Sequence, residues 1–423
     1  MPKITLQKRT GSKRATRELS IKKNMIWNSF GSLSYLFCQW LITVFIVRMS
    51  AGYDAAGAYT LALTVYNIFM PLAQYGMSVY QLSDTRDEHS AGEYLAFRIG
   101  ISFVTLALIM VYSFITCEAS NWLTIFLLSV FMLIGRLTDV PHTTMQKRRR
   151  MDYIGISNFL QGAVPLVVFF ISFYCTQNLN VTLVLMSVVT VLIWYIYIMP
   201  RALLFSSFEI TISWHKAKKL LIACFPVVVA TFAVSAAPSL PRQYLAATLG
   251  NAALGAYGTL AAPVALLQMV ATYIYNPLLT YFREYFETKQ LHNLRALMLK
   301  TCVAIVVFGV LCALIVALVG GPVMVLIYGE KIAEYIYLLR PLVLCAVLTG
   351  LQWFFSNLAQ TFRFFGVNLA GCIAGLAAAL LSMWFFVDHF QLNGVTWTCV
   401  FSCVVVLLVM GVGIAFRLRR HMA

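Results

Sequence analysis

The chain has 423 residues, of which 61% are hydrophobic and only 11% charged, with a formal net charge of +16 and a mean hydropathy of +0.82. A soluble domain carries roughly a quarter charged residues, so a water-soluble enzyme or binding module is excluded. Long apolar runs recur from end to end, each near the ~20 residues that cross a bilayer as a helix, and the expected fold class is an all-α polytopic membrane protein.

In chain order, residues 1–25 form a tail with eight Lys and Arg. The first apolar run, 26–47, follows too long a basic preamble and is itself too long for a cleaved leader. Further runs are predicted at 57–80, 96–117, 122–140, 154–175 and 179–199. A basic, mostly polar linker at 200–219, with the text "RALLFSSFEITISWHKAKK", separates these six from six more at 220–245, 256–280, 301–319, 336–358, 367–388 and 395–416. Residues 417–423 make a short basic tail. The connections are too short to hold a separate soluble domain.

Placing the N-terminus in the cytoplasm puts 25 of the 31 Lys and Arg on the inner side, leaves Arg48 and Lys331 outside, and buries four in spans. Lys and Arg resist translocation, so both termini are expected in the cytoplasm, with "MQKRRRMDY" as the clearest inner loop. The positive balance thus reads as topology and contact with anionic lipid, not as nucleic-acid binding.

The triplet Gly-Ala-Tyr occurs twice, at Gly57 in "AAGAYTLAL" and at Gly255 in "ALGAYGTLA". Each opens the second helix of a six-helix half, which predicts two bundles, 26–199 and 220–416, related by a pseudo-two-fold axis along the membrane normal. Parallel repeats of this kind place a substrate cavity at their interface and expose it alternately to each side. Pro226, Pro238 and Pro241 all fall in the seventh helix and mark it as the candidate bent, moving helix, although membrane helices also tolerate proline without such a role.

Of the ten cysteines, only Cys117 and Cys175 lie at outer helix ends where a disulfide could form; the alternative is that they are small buried hydrophobes like the rest. There is no C-x-x-C and no His near a Cys pair with ligand spacing, so neither a metal nor a cofactor is expected. No G-x-x-x-x-G-K-[ST] loop is present, so the chain is not expected to bind ATP in that way.

Four stretches carry a resemblance: "YQLSDTRDEHSAGEYLAFRI" after the second helix, "QKRRRMDYIGISNFLQG" leading into the fifth, "LIYGEKIAEY" before the tenth, and "PRQYLAATLGNAALGAYGTLAAP". Together they resemble bacterial polysaccharide repeat-unit flippases of the Wzx type, within the multidrug/oligosaccharidyl-lipid/polysaccharide exporter superfamily. The resemblance implies a two-lobed, twelve-helix transporter in the bacterial cytoplasmic membrane. It would turn undecaprenyl-diphosphate-linked oligosaccharide from the inner to the outer leaflet for O-antigen or capsule synthesis. Its implied partners are the lipid-linked oligosaccharide, membrane lipids, and polymerase and chain-length machinery.

A charged group at mid-membrane costs roughly 2.5–3.5 kcal/mol on insertion scales, so arginines in or beside spans are the candidate diphosphate ligands: Arg48, Arg242, Arg340, Arg136 and Arg98. Arginine suits the task because its fork donates two parallel hydrogen bonds and stays charged. Each has a plainer reading. Arg98 can snorkel to the inner headgroups, Arg48, Arg242 and Arg340 can anchor outer helix ends, and Arg136 can pair with Asp139 three residues on. Asp139 and Asp388, the only acids in spans, are expected near helix ends, which disfavours a cation-coupled multidrug exporter. A peptidoglycan-precursor flippase fits the charges but usually has fourteen helices. A polymerase or ligase would need a large outer loop, and the Asp388–His389 pair lacks a nucleophile.

Overall fold

The computed structural model describes residues 5–8, 16–84 and 88–422. Among the described residues, eleven helical runs are long and apolar enough to cross a membrane. One of these is two helices, because the continuous stretch Trp214–Tyr275 contains the non-helical residue Gly250, with φ 84° and ψ 171°. That region of backbone space is open essentially to glycine alone. The chain is an all-α polytopic membrane protein. Its spans are α1 (Ile21–Met49), α2 (Asp54–Ser83), α3 (Ala91–Thr116), α4 (Ala119–Lys147), α5 (Met151–Thr176) and α6 (Leu179–Ala202). After them come α7 (214–249) and α8 (251–275), then α9 (Leu291–Tyr328), α10 (Glu330–Thr361), α11 (Phe365–Phe390) and α12 (Leu392–Arg420).

Local chemistry sets several of these limits. A reciprocal capping box opens α3: the Ser90 hydroxyl accepts from the Glu93 N–H, and the Glu93 carboxylate accepts from the Ser90 N–H. Asn178 caps α6 by accepting from Asn180 and Val181. α2 is interrupted by two left-handed residues, Tyr75 and Gly76, with φ of 47° and 61°. α4 breaks at Leu137–Thr138 and resumes as Asp139–Lys147. It therefore runs past the limit of 140 expected from the sequence, because Pro141 falls in the first turn of the resumed helix, where its missing N–H has no partner to lose. Pro226, Pro238 and Pro241 all remain inside helical backbone, and the break in this stretch is at Gly250 instead.

The residues form two compact units. The first takes the chain up to Ala51 together with Val65–Val228, and the second takes Gly52–Thr64 with the chain from Val229 onward. The core of the first unit includes Tyr94, Phe97, Ile198, Phe208 and Cys224. Phe208 belongs to the segment read from sequence as a polar linker, yet it is fully buried. There β2 (Phe208–Glu209) pairs antiparallel with β1 (Thr5–Leu6) of the basic tail. Farther along that tail, the Leu19 N–H donates to the Arg149 carbonyl at 3.3 Å, and the Asn24 side chain accepts from the Met151 N–H at 2.9 Å. The core of the second unit gathers Tyr275, Phe282, Phe354 and Phe362 around α10. The described cysteines form no disulfide, Cys117 and Cys175 included.

Candidate functional site

In the first unit the break in α2 leaves the carbonyls of its last regular turn without helical partners, and such ends carry partial negative charge. Arg98, on α3 and only 1% exposed, answers them. Its Nη1 donates to the carbonyls of Ala73 and Gln74, the latter at 2.8 Å. Its Nη2 lies 3.5 Å from the Asp139 carboxylate. The guanidinium therefore turns inward rather than out to headgroups. The expected Arg136–Asp139 pairing does not form either. Leu137 and Thr138 between them keep right-handed helical angles, so competing partners separate the pair: the Asp139 carboxylate lies against Arg98. Arg136 instead sends Nε to the Tyr66 hydroxyl at 3.4 Å and Nη2 to the Met70 sulfur at 3.9 Å.

These groups border a cavity of ≈ 380 Å³, within the ~300–1,000 Å³ range of small-ligand pockets. Ser32 and Tyr35 of α1, Arg136 and Asp139 of α4, and Asn158 and Gln161 of α5 line it. His142, also at the wall, shares a 2.8 Å hydrogen bond with Ser157, to which Gln161 donates at 3.0 Å. None of these uncharged residues stood out in the sequence. The signal was there, since Ser157 and Gln161 in "GISNFLQG" are polar residues four apart in an apolar run and so share a helix face.

Where α2 ends and α3 begins, lysines hold Asp84, Glu88 and Glu93. Lys216 reaches Glu93 at 2.7 Å, Lys219 reaches Glu88 at 2.7 Å, and Lys147 donates to the Asp84 carbonyl at 2.6 Å. Burial works to raise the Asp84 pKa, but hydrogen bonds from the Tyr94 hydroxyl and the Glu88 and His89 N–H groups prevail and hold it below the ordinary carboxylate value. His89 is 4% exposed. Burial lowers its pKa against the opposing pull of Glu93, whose carboxylate is 3.7 Å from Nδ1.

In the second unit the two Gly-Ala-Tyr triplets meet. A Cβ on Gly57 would overlap the Asn251 carbonyl, and one on Gly255 would overlap the Tyr53 carbonyl and sit 2.7 Å from the Gly57 nitrogen. The start of α2 and the start of α8 cross backbone to backbone, which only residues without side chains permit. Tyr257 of the second triplet is buried and accepts a hydrogen bond from Thr396 at 3.3 Å. The Arg242 guanidinium lies 5.8 Å from the centroid of that ring, and its Nε is buried without a hydrogen-bond partner. Arg48, in the last turn of α1, and Arg340 are exposed. The structure thus gathers Arg98 and Arg136 around Asp139, stacks Arg242 near Tyr257, and leaves Arg48 and Arg340 at the surface.

No protein-family model matches the chain. It is 23% identical over 394 residues to the capsular polysaccharide biosynthesis protein CapF of Staphylococcus aureus, covering 91% of this chain and 97% of that protein. Among solved structures it is similar to an inward-facing multidrug resistance MATE family transporter of the MOP superfamily, with a TM-score of 0.69, 16% identity, and coverage of 94% and 98% of the two chains. The chain has the fold of that structure. The chain is also similar to a point mutant of the Vibrio cholerae MATE transporter VcmN, at a TM-score of 0.61 and 14% identity, covering 94% of this chain and 96% of that one. These likenesses agree with the all-α polytopic membrane fold expected from the sequence.

Proposed function

We propose that this chain is a flippase that moves undecaprenyl-diphosphate-linked oligosaccharide repeat units from the inner to the outer leaflet of a bacterial cytoplasmic membrane by alternating access. The observation that carries this reading is the end-to-end likeness to CapF, a capsular polysaccharide biosynthesis protein, in a chain with the MOP fold. The charges support it. Within the spans read from the sequence, four arginines stand against two acids, a balance suited to an anionic headgroup in a water-poor path. Capsule or O-antigen assembly is the setting, and the polymerase and chain-length machinery are the partners downstream. Depletion of the protein in cells should trap lipid-linked oligosaccharide in the inner leaflet, and reconstituted protein should restore its appearance outside. Equal outer-leaflet appearance with and without the protein would defeat the reading.

Both termini belong to the cytoplasm in this scheme. A single cysteine at Gln146, on a cysteine-free background, should resist an impermeant reagent added to intact cells; labelling from outside would reverse the orientation.

One observation favours a second reading, a cation-coupled multidrug exporter. Asp139 opens the resumed segment of α4, inside the span that runs to Lys147, and stands in the wall of the cavity. Its pairing with Arg98 weighs against use as a cation site, because the guanidinium already neutralises it. Drug-dependent proton or sodium flux in proteoliposomes would support the exporter.

A further inference from the structure

Two charged groups, Arg136 and Asp139, line the cavity of the first unit, and with Arg98 behind Asp139 the three do not balance. Asp139 is answered by Arg98. Arg136 donates hydrogen bonds only to neutral partners, Tyr66 and Met70; it feels the Asp139 charge, but the described residues bring no carboxylate within ion-pair distance of it. With His142 neutral, the formal charge of the cluster is one positive. Arg136 is half-buried, a charge held away from water without a counter-charge is costly, and the cavity beside it offers room for a ligand to supply one.

The remaining wall narrows what that ligand is. Ser32, Tyr35 and Asn158 line the cavity and spend none of their hydrogen-bonding capacity on other described residues. Hydroxyl, phenol and amide groups that both donate and accept match the hydroxyls of a sugar ring. The Phe131 side chain, also at the wall, gives such a ring an apolar face. A diphosphate fits poorly here: it brings about two negative charges to one unmatched guanidinium, and Asp139 in the same wall would repel the second. A single carboxylate on a sugar matches both the charge and the fork of Arg136.

We infer that this cavity is a subsite for an acidic sugar, a hexuronic acid residue of the transported oligosaccharide, with Arg136 clasping its carboxylate and Ser32, Tyr35 and Asn158 its hydroxyls. The inference rests on the flippase reading for its source of sugar, but its test does not.

The test uses purified full-length protein in nanodiscs, with glucuronate as probe and glucose and inorganic pyrophosphate as comparisons, read by thermal shift and by ligand-observed NMR. Glucuronate should bind saturably, and glucose should bind at least about tenfold more weakly, as should glucuronate to Arg136→Gln, since each removes a charge-assisted contact. Asn158→Leu, which fills the cavity and leaves the arginine, should weaken glucuronate comparably and guards against misfolding of the arginine variant. Equal binding of glucose, stronger competition by pyrophosphate than by glucuronate, or undiminished binding by Asn158→Leu would each overturn the assignment. Loss of glucuronate binding with outer-leaflet transport intact rejects the subsite alone, whereas absent transport with glucuronate binding intact rejects the flippase and keeps the site.

Discussion

Replacing Gly255 with alanine tests the crossing of α2 and α8. The added methyl would sit 2.7 Å from the Gly57 nitrogen and 3.1 Å from its Cα, and would overlap the Tyr53 carbonyl. All three obstacles are backbone, so no rotamer change relieves them. Ordinary contact begins near 3.4 Å, so the helices must part by about 0.7 Å or more, and gaps of 0.5–1 Å forfeit roughly a quarter to a half of each dispersion contact. Overpacking of this kind costs about 1–3 kcal/mol, against which alanine returns about 0.5–1 kcal/mol of helix propensity. Gly366→Ala is the matched control, because it lies in the same unit with nothing within 4 Å of its new methyl. The propensity gain largely cancels between the two variants, leaving a difference of about 1–3 kcal/mol. In detergent, thermal unfolding should therefore separate them by at least about 2 °C, taking about 2–4 °C per kcal/mol for a body of this size. If Gly255→Ala melts at or above Gly366→Ala, the two triplets do not meet as described.

Arg98→Met should destabilise the first unit by about 3–5 kcal/mol, because it strands Asp139 and the last carbonyls of the first segment of α2; adding Asp139→Asn should recover part of that loss, and strictly additive melting shifts would show the pair is not coupled. His89 has its pKa pushed below the ordinary 6.5, so the unfolded chain takes up the proton first and stability falls as pH drops below about 6.5. His89→Gln should flatten that slope in unfolding measured from pH 7 to 5, and an unchanged slope would place its cause elsewhere. Arg48→Ala and Arg242→Ala should each impair transport with normal membrane insertion, the Glu variants should be worse, and Lys should rescue only in part. Unmodified transport by both Glu variants would leave the two arginines as anchors.

The apolar runs were legible because spanning a bilayer demands length and hydropathy that nothing else in the chain imitates. Breaks inside helices were less so. Pro141 read as a stop but sits where a helix tolerates proline, and Tyr75, a bulky residue in left-handed backbone, gave no sign of the break that Arg98 caps. Local spacing suggested Arg136 for Asp139; the actual partner, Arg98, is far along the chain and is selected by the orphan carbonyls beside it. Gly57 and Gly255 were noticed as a repeat, and their contact with each other follows from packing that a one-dimensional match does not contain. Phe208 looked like one residue of a polar linker because its burial depends on a strand partner at the other end of the first unit.

That strand pairing has a consequence for the order of events during synthesis. Leu6 pairs with Phe208, so the Thr5–Leu6 strand has no ladder partner until about 200 further residues have been made. At roughly 5–20 residues per second this is a delay of about 10–40 s, during which six helices enter the bilayer while the basic segment remains available to anionic lipid headgroups. Closure of the two-stranded ribbon then marks the point at which the first unit has received its last strand, before most of the second has left the ribosome.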